Sequence, residues 1–390
     1  MIKEFFNKCL DDTTLSNSAY DNARDKYNAI GEYLEEYFLD NYNIDVKIYS
    51  QGSFATETVV RPYTEGKDRS YDVDTIIELN ATKQEYSSSE LKRIIREALE
   101  DSRYRDDFEE WDKCFTINYA SMGSYKFSID VVPSISEDFT TKQQLAKITE
   151  ESERVDTSIA ITASLSTTKD DEWVTNNPKG YAEWFNYVYR SVILRKYELR
   201  SGVIYSSIEE LPDGSDVNQV KNIVKALKRM MAVFYDHQGY INKPPSIIIS
   251  TIVAKLSQNQ FSLDEFEHLK YIIENIGLFS NYRKEMSSRH RTEEISNIIR
   301  KEDGQWVMEN PCNGNDNLID SWNSDSSAPE NFIEFIKYLQ NTILPSLNGQ
   351  ETKENYEIIK KAFASSTDIT KFYVPKVELT PKAHIKPWRG

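Results

Sequence analysis

The sequence predicts an α+β protein of two lobes, in which a half that carries the strands is followed by a mostly helical half. Alternation of apolar and polar residues, typical of strands, is confined to the part before about residue 155. After that point apolar residues recur every three to four positions, as in helices that bury one face. The 390 residues suit two domains, and an apolar content of 39% is enough for two cores.

We expect three segments. Residues 1–155 should form the sheet-bearing core with an N-terminal helix that bridges both lobes. Residues 156–350 should form the helical lobe. Residues 351–390 should form a C-terminal helix and a tail, Glu378–Gly390, that is mobile because it has little apolar periodicity.

Periodicity and turn residues place the individual elements. In the first half, apolar spacing predicts helices at Ser18–Tyr42 and Ser87–Glu100, and strands at Val46–Ile48, Tyr71–Leu79, Cys114–Tyr119 and Tyr125–Val132. Pro133 should end the last strand, because proline has no N–H for the ladder. In the second half, helices are predicted at Val217–Tyr235, Ser246–Leu256, Leu263–Ile276 and Asn331–Ile343.

The composition excludes several classes of protein. Acidic residues number 63 against 47 basic ones, a net charge of −16, which argues against a long nucleic acid as partner. Three cysteines without CxxC pairing exclude a disulfide scaffold and a cysteine zinc site. No apolar run reaches the roughly eighteen residues that span a bilayer, and the N-terminus lacks a signal peptide. We therefore expect a cytoplasmic monomer with no membrane partner.

The most informative stretch is Tyr71–Ile77, in which Asp72 and Asp74 alternate with apolar residues. Side chains two apart on a strand share a face, so the two carboxylates should project together. Carboxylates that lie close repel each other unless a cation lies between them, and Mg²⁺ prefers such hard oxygen ligands. Taken alone, an Asp-x-Asp pair is more often a solvated sheet edge than a metal site.

A third carboxylate favours the metal site. Asp130 and Ser128 share one face of the strand Tyr125–Val132, whose other face is apolar. If this strand neighbours the first, Asp130 joins Asp72 and Asp74. The alternative for Asp130 is an acid at a strand end that bonds a turn, although an unpaired carboxylate within an apolar strand is costly.

A turn at Gln51-Gly52-Ser53 precedes the paired aspartates. Glycine lets backbone N–H groups approach a phosphate, and serine adds a hydroxyl donor. Lone Gly-Ser pairs are ordinary turns, so the signal lies in the order: helix, strand, Gly-Ser, strand with two aspartates, strand with one.

This ordered set, Gly52-Ser53, Asp72-Val73-Asp74 and Asp130, resembles the nucleotidyltransferase superfamily of the DNA polymerase β type. More narrowly, QGSFATETVVRP, YDVDTIIEL and SIDVVPS resemble the bacterial CD-NTases with a SMODS domain, relatives of cyclic GMP–AMP synthase and oligoadenylate synthase. Matches to the oligoadenylate-synthase-like second domain lie at Ala226–Met230, Lys243–Ser246, Asn310–Pro311 and Asn317–Trp322. The resemblance covers about residues 40–340.

The resemblance implies a fold, a site and cofactors. The fold would be a bilobal polymerase-β-like nucleotidyltransferase core, a mixed sheet with helices, and a helical oligoadenylate-synthase-like lobe that clamps the nucleotide. Two Mg²⁺ ions, replaceable by Mn²⁺, would be held by the catalytic residues Asp72, Asp74 and Asp130. The implied nucleotide-binding residues are Gln51, Gly52, Ser53, Lys228 and Ser246.

The implied function is synthesis of a cyclic di- or trinucleotide second messenger from nucleoside triphosphates, ATP among them, with release of pyrophosphate, as in the CBASS systems of antiphage defence. The terminal Gly390 is compatible with a regulatory or conjugating protein partner at the tail. Two alternatives stay open. One is a linear oligonucleotide synthase or an enzyme that adds nucleotides to RNA ends, and the other is an inactive nucleotide-binding module.

Two further features need a structure. Lys221, Lys225 and Lys228 form one helical stripe, for which a solvated face is the expectation at the first two and phosphate binding at the third. A charged insert, Thr64–Ser70, lengthens the gap between Ser53 and Asp72 beyond the usual spacing of the family.

Overall fold

The structure is a computed structural model that describes residues 1–122, 125–169, 171–201, 219–258, 260, 264–281 and 298–373. The predicted tail Glu378–Gly390 and the predicted helix starts at Val217 and Leu263 lie outside these residues. Within them, no helix combines the length and the apolar composition that crossing a membrane requires.

A mixed sheet organises the first core. Its strands in the described part of the chain are β1 (Val46–Ser50), β4 (Tyr71–Leu79), β5 (Phe108–Glu110), β6 (Phe115–Met122), β7 (Tyr125–Ser136), β8 (Ile159–Thr162) and β9 (Trp173–Asn176). The order is β1-β4-β7-β6-β5, and β8 pairs with β7 and with β9. β4 and β7 run parallel, whereas the other neighbours in this sheet are antiparallel.

Short strands form three further pairs in the described residues. They are β2 (Tyr63–Thr64) with β3 (Lys67–Asp68), β10 (Arg300–Glu302) with β11 (Gln305–Val307), and β12 (Glu309–Asn310) with β13 (Asn313–Asn317).

Two long helices bury their apolar faces in the first core. α2 (Asn17–Tyr42) begins at a Ser16 cap, and α4 (Ser88–Glu100) begins with a capping box between Ser87 and Glu90. Their apolar residues pack with those of β4 and β7, among which Val73, Ile77 and Ile129 are fully buried. The predicted helices and strands of this half are thereby confirmed to within a few residues.

The remaining helices build a second core. They are α1 (Ile2–Thr13), α6 (Pro178–Ser201), α7 (Gln219–Gln238), α8 (Ser246–Ser257), α9 (Glu265–Gly277), α11 (Ser327–Tyr338), α12 (Leu344–Asn348) and α13 (Lys353–Phe363). Two shorter helices, α3 (Gly52–Ala55) and α5 (Phe139–Leu145), lie in the first half, and α10 (Ser321–Ser324) lies in the second.

The arrangement of the elements differs from the sequence prediction. The long helix expected to bridge the lobes, α2, packs in the first core, and a separate helix that was not predicted, α1, packs in the second. The sheet also continues past residue 155 through β8 and β9. An apolar helical face shows that one side is buried but not against which partner, so the division into domains stays a prediction.

Pro133 does not end its strand, because β7 continues to Ser136. β6 pairs with β7 up to Val131, and β8 begins its pairing at Ser134. Pro133 thus lies between the part of β7 that pairs with β6 and the part that pairs with β8. Its missing N–H therefore breaks no bond to β6 or to β8.

The position of α1 in the second core gives a prediction. Phe5 is fully buried, with its ring 4.9 Å from that of Tyr356 and 5.3 Å from that of Phe372. Phe5→Ala should lower the free energy of unfolding by ~3–5 kcal/mol, because it leaves a cavity among rings. The control Phe139→Ala removes a ring that is 75% exposed and should have little effect. Denaturant unfolding measures both, and equal stabilities would contradict the packing of α1.

Candidate active site

The parallel pairing of β4 with β7 brings the predicted aspartates together. Asp74 pairs in register with Asp130, and Asp72 pairs with Ser128. The intervening residues point to the opposite face, where Val73 and Ile129 are buried in the first core. The three carboxylates therefore lie on one face of the sheet, as the alternation predicted.

Hydroxyl groups on neighbouring strands hold two of the three carboxylates. Ser128 Oγ donates to Asp72 Oδ1 at 2.5 Å, and Thr116 Oγ1 on β6 donates to Asp130 Oδ1 at 2.6 Å. These short hydrogen bonds orient both side chains.

The site disfavours negative charge on its central carboxylate. Burial first, and then the charges of Asp130 and Asp72, together raise the pKa of Asp74 to about 7, against the opposing ammonium of Lys228. Burial and the charge of Asp72 also raise the pKa of Asp130, against the hydrogen bond from Thr116. A cation between the carboxylates would relieve this repulsion.

Gly52 fits where a side chain would not. Its φ is +60°, and a Cβ atom would lie 2.8 Å from Asp74 Oδ2. The backbone N–H of Gln51 donates to the carbonyl of Asp74 at 2.9 Å, which holds the turn against β4. The Gln51-Gly52-Ser53 turn is therefore packed directly on the strand that carries the paired aspartates.

Two neighbouring cavities share this face. One, of about 530 Å³, is lined by Gly52, Ser53, Lys228 and Ser246; we call it the donor cavity. The other, of about 290 Å³, is lined by Asp130 together with Cys114 and Thr175; we call it the acceptor cavity. Residues common to both linings are Gln51, Asp74, Lys113, Asn176 and Asp316. Asp72 is exposed at the start of β4 and lines neither cavity.

Lys228 is a buried cation at the wall of the donor cavity. It is 8% exposed, and its Nζ donates to the carbonyl of Thr58 at 2.9 Å. Burial first, and then the charges of Lys243 and Lys225, together lower the pKa of Lys228 to about 7, against the opposing charge of Asp74. Ser246 begins α8 and is exposed to the same cavity.

The prediction of a solvated face for Lys221 and Lys225 is wrong. Lys221 is only 4% exposed, pairs with Glu57 at 2.9 Å and lies 4.4 Å from the centre of the Tyr189 ring. Burial lowers the pKa of Lys225. This stripe of α7 faces the segment that follows the Gly52 turn, and helical spacing alone could not reveal that contact.

The sequence interpretation missed several residues that line the cavities. One is Lys113, which lies in a turn that Lys92 stabilises. The Nζ of Lys92 donates hydrogen bonds to the carbonyls of Trp111, Asp112 and Cys114, at 2.6, 3.1 and 3.2 Å. Also missed were Asn176, Tyr181 and Asp316. Asp316 lies within an Asn-rich segment, a weak signal for a binding loop.

The three aspartates are suitable ligands for a metal ion in their chemistry, but their side chains are not arranged around a common point. Hard carboxylate oxygens with raised pKa values suit a divalent cation. As the side chains stand, however, the described residues contain no three Asp, Glu, His or Cys that could hold one ion. Asp72 and Asp130 bond hydroxyl groups instead. The set of three metal ligands stays a prediction.

Known proteins are similar to this chain in sequence and in fold. Residues 1–155 match the family model of the Second Messenger Oligonucleotide or Dinucleotide Synthetase domain, SMODS. A c-di-GMP synthase of Roseivirga ehrenbergii is 24% identical over 329 residues, which are 84% of this chain and 74% of that protein.

Two solved structures show the same fold over most of both chains. The CD-NTase CdnG of Bradyrhizobium diazoefficiens, in complex with GTP, has a TM-score of 0.61 and 15% identity, and the match covers 92% of this chain and 97% of that one. CdnC of E. coli MS115-1, in a complex with HORMA-deltaN, has a TM-score of 0.62 and 16% identity, with coverage of 94% and 98%. The predicted bilobal, polymerase-β-like α+β fold is confirmed.

The raised pKa of Asp74 predicts that the negative charge of this side chain destabilises the folded protein. Its ionised form opposes folding, so stability falls as the pH rises from about 4, its ordinary pKa, through about 7, its pKa in the folded chain. Without divalent cations at pH 8, Asp74→Asn should therefore raise the free energy of unfolding by ~2 kcal/mol. Near pH 4 the gain should vanish.

Urea unfolding at the two pH values measures this difference. Asp72→Asn is the matched control, because Asp72 is exposed, and it should change stability less. A destabilised Asp74→Asn at pH 8 would show that the carboxylate is not under repulsion.

Proposed function

We propose that this chain, which carries a SMODS domain in its first 155 residues and is a relative of the bacterial CD-NTases, is a nucleotidyltransferase that makes a cyclic di- or trinucleotide second messenger from nucleoside triphosphates. The observation that supports the proposal is that Asp74 lines two neighbouring cavities. The Gly52-Ser53 turn and Lys228 line one of them, and Asp130 lines the other.

The donor triphosphate would lie in the donor cavity. Backbone N–H groups of the Gly52 turn and the hydroxyls of Ser53 and Ser246 would contact its oxygens. The ammonium of Lys228 would offset charge that moves onto the leaving pyrophosphate. Because Lys228 is buried, its attraction for phosphate is screened little by solvent.

The acceptor ribose would lie in the acceptor cavity. Its hydroxyl oxygen would attack the α-phosphorus of the donor, a new P–O bond would form, and the bond to pyrophosphate would break, with loss of the hydroxyl proton. Thr116 holds Oδ1 of Asp130, and Asp130 lines this cavity. Divalent ions, Mg²⁺ or in its place Mn²⁺, two of them held by Asp72, Asp74 and Asp130, would lower the proton affinity of that hydroxyl.

Cavity size supports ring closure within one site. The volumes of about 530 and 290 Å³ lie side by side and share five lining residues, so a linear intermediate has room to occupy both. Return of its triphosphate to the donor cavity would then bring its own terminal hydroxyl to the α-phosphorus. The net charge of −16 disfavours a long nucleic acid in the same cleft.

The biological setting belongs to the same proposal. We expect ATP among the substrates, a monomer that acts in the cytoplasm, and a role in antiphage signalling. CdnC was solved in a complex with HORMA-deltaN, which supports a regulatory protein partner here as well.

The reaction predicts a closed product. The pure protein, incubated with all four nucleoside triphosphates and Mg²⁺, should release pyrophosphate and form an oligonucleotide that survives phosphatase, because a ring has no terminal phosphate. Mass spectrometry before and after phosphatase identifies it. A phosphatase-sensitive product, or a reaction that begins only when RNA is added, would favour the linear synthase, whereas bound but unreacted nucleotide would favour the inactive module.

The paired aspartates predict a loss of turnover without a loss of fold. Asp72→Asn with Asp74→Asn should reduce pyrophosphate release at least ~10³-fold, because the carboxylates that hold the ions are gone. Glu78→Gln is the matched control: it lies on the same strand and face, pairs with Lys47 and Tyr49, and should keep full activity. Comparable rates in the double variant and the parent would refute the catalytic assignment.

A further inference from the structure

The charged insert Thr64–Ser70 folds into a hairpin of β2 and β3. Its turn residues, Glu65 and Gly66, have φ values of +52° and +72°, as in the two-residue turns that suit a hairpin. Glu65 in this conformation costs about 1 kcal/mol, so contacts elsewhere must hold the turn. The proposed chemistry does not use this hairpin.

Helix α7 holds the hairpin at two places. Asp236 accepts hydrogen bonds from the backbone N–H groups of Glu65 and Gly66, at 2.5 and 3.0 Å. At the other end, Asp68 Oδ1 lies 2.8 Å from a terminal nitrogen of Arg229. The hairpin therefore spans about two turns of α7 and follows the helix surface closely.

Arg229 is one of the most deeply buried charges in the described residues. It is 1% exposed, donates from Nε to the carbonyl of Phe363 and from a terminal nitrogen to the carbonyl of Arg61, and lies 4.7 Å from the centre of the Tyr63 ring. Burial lowers the pKa of Arg229, and the charge of Asp68 opposes this effect. Asp68 thus supplies the negative charge that a buried guanidinium requires.

Lys228 precedes Arg229 in the helix. The two side chains have different surroundings: Lys228 lines the donor cavity, and Arg229 forms an ion pair with Asp68 of the hairpin. The chain leaves the hairpin after Asp68 and enters β4 at Tyr71, immediately before Asp72. The hairpin therefore joins the strand of the paired aspartates to the helix of the phosphate-binding lysine.

We propose that the hairpin positions Lys228 for the donor triphosphate, and that Asp68 is the positioning residue, acting through its ion pair with Arg229. The inference rests on the proposed role of Lys228 as a phosphate ligand. Asp68 itself does not line the donor cavity, so its effect on nucleotide binding must pass through α7.

The test is a double-mutant cycle on nucleotide affinity. Asp68→Asn and Lys228→Ala are made singly and together, and binding of a non-reactive α,β-methylene analogue of ATP or GTP is measured by equilibrium dialysis with Mg²⁺. Each single variant should bind ~10-fold more weakly, since a charge-assisted phosphate contact is lost or misplaced. In the Lys228→Ala background, Asp68→Asn should change affinity by less than ~2-fold, because its effect acts through the missing lysine.

Two matched variants distinguish an effect on the position of Lys228 from a general loss of protein stability. Glu65→Gln removes an exposed charge that pairs with Arg69 on the same hairpin and should leave affinity within ~2-fold of the parent. Asp68→Glu keeps the charge and should restore most of the affinity. If Asp68→Asn does not fold, Asp236→Ala loosens the other end of the hairpin and takes its place in the cycle.

The outcomes are distinct. Unchanged affinity in Asp68→Asn, or an equal loss with and without Lys228, overturns the positioning role while the proposed function stands. A parent protein that binds neither analogue overturns the proposed function, and the role of Lys228 with it.

Discussion

Asp74 and Asp130 lie opposite each other on two parallel strands, where burial and the charges of neighbouring carboxylates raise the pKa of both. The backbone pairing of β4 with β7 enforces this proximity, and the first core fixes the pairing from behind through residues such as Val73 and Ile129. Stability alone would favour an apolar or neutral pair here. The strain that a metal ion or a developing charge could relieve is therefore built into the sheet itself.

The rest of the site compensates for that charge. Hydroxyl groups on the sheet hold Asp72 and Asp130, the Gly52 turn contacts Asp74 without a side chain, and Lys228 brings an ammonium from the second core. Because the acids and the ammonium come from different cores, neither core can form the site alone. The contacts of Lys228 with Thr58 and of Lys221 with Glu57 are therefore needed to bring the acids and the ammonium together.

Local sequence patterns correctly predicted which side chains of a strand share a face, because strand geometry alone determines this. Alternation placed Asp72, Asp74 and Asp130 on one face, and the glycine turn was identified from its position in the order of elements. Patterns failed wherever a partner was distant in sequence. A solvated face was predicted for Lys221 and Lys225 on α7 because Glu57, the partner of Lys221, lies far upstream. Asp316 is likewise distant in sequence from the other residues of the cleft that it lines.

The position of α1 has a consequence for how the chain is made. α1 packs against α13, and Asp12 accepts hydrogen bonds from Ser365 and Ser366, so a helix that is made before all the other helices described finds its partners among the last residues described. The sheet between them closes through contacts much nearer in sequence and can form during synthesis. The second core must instead wait until α13 has been made, and until then the apolar face of α1 remains uncovered and exposed to chaperones and aggregation.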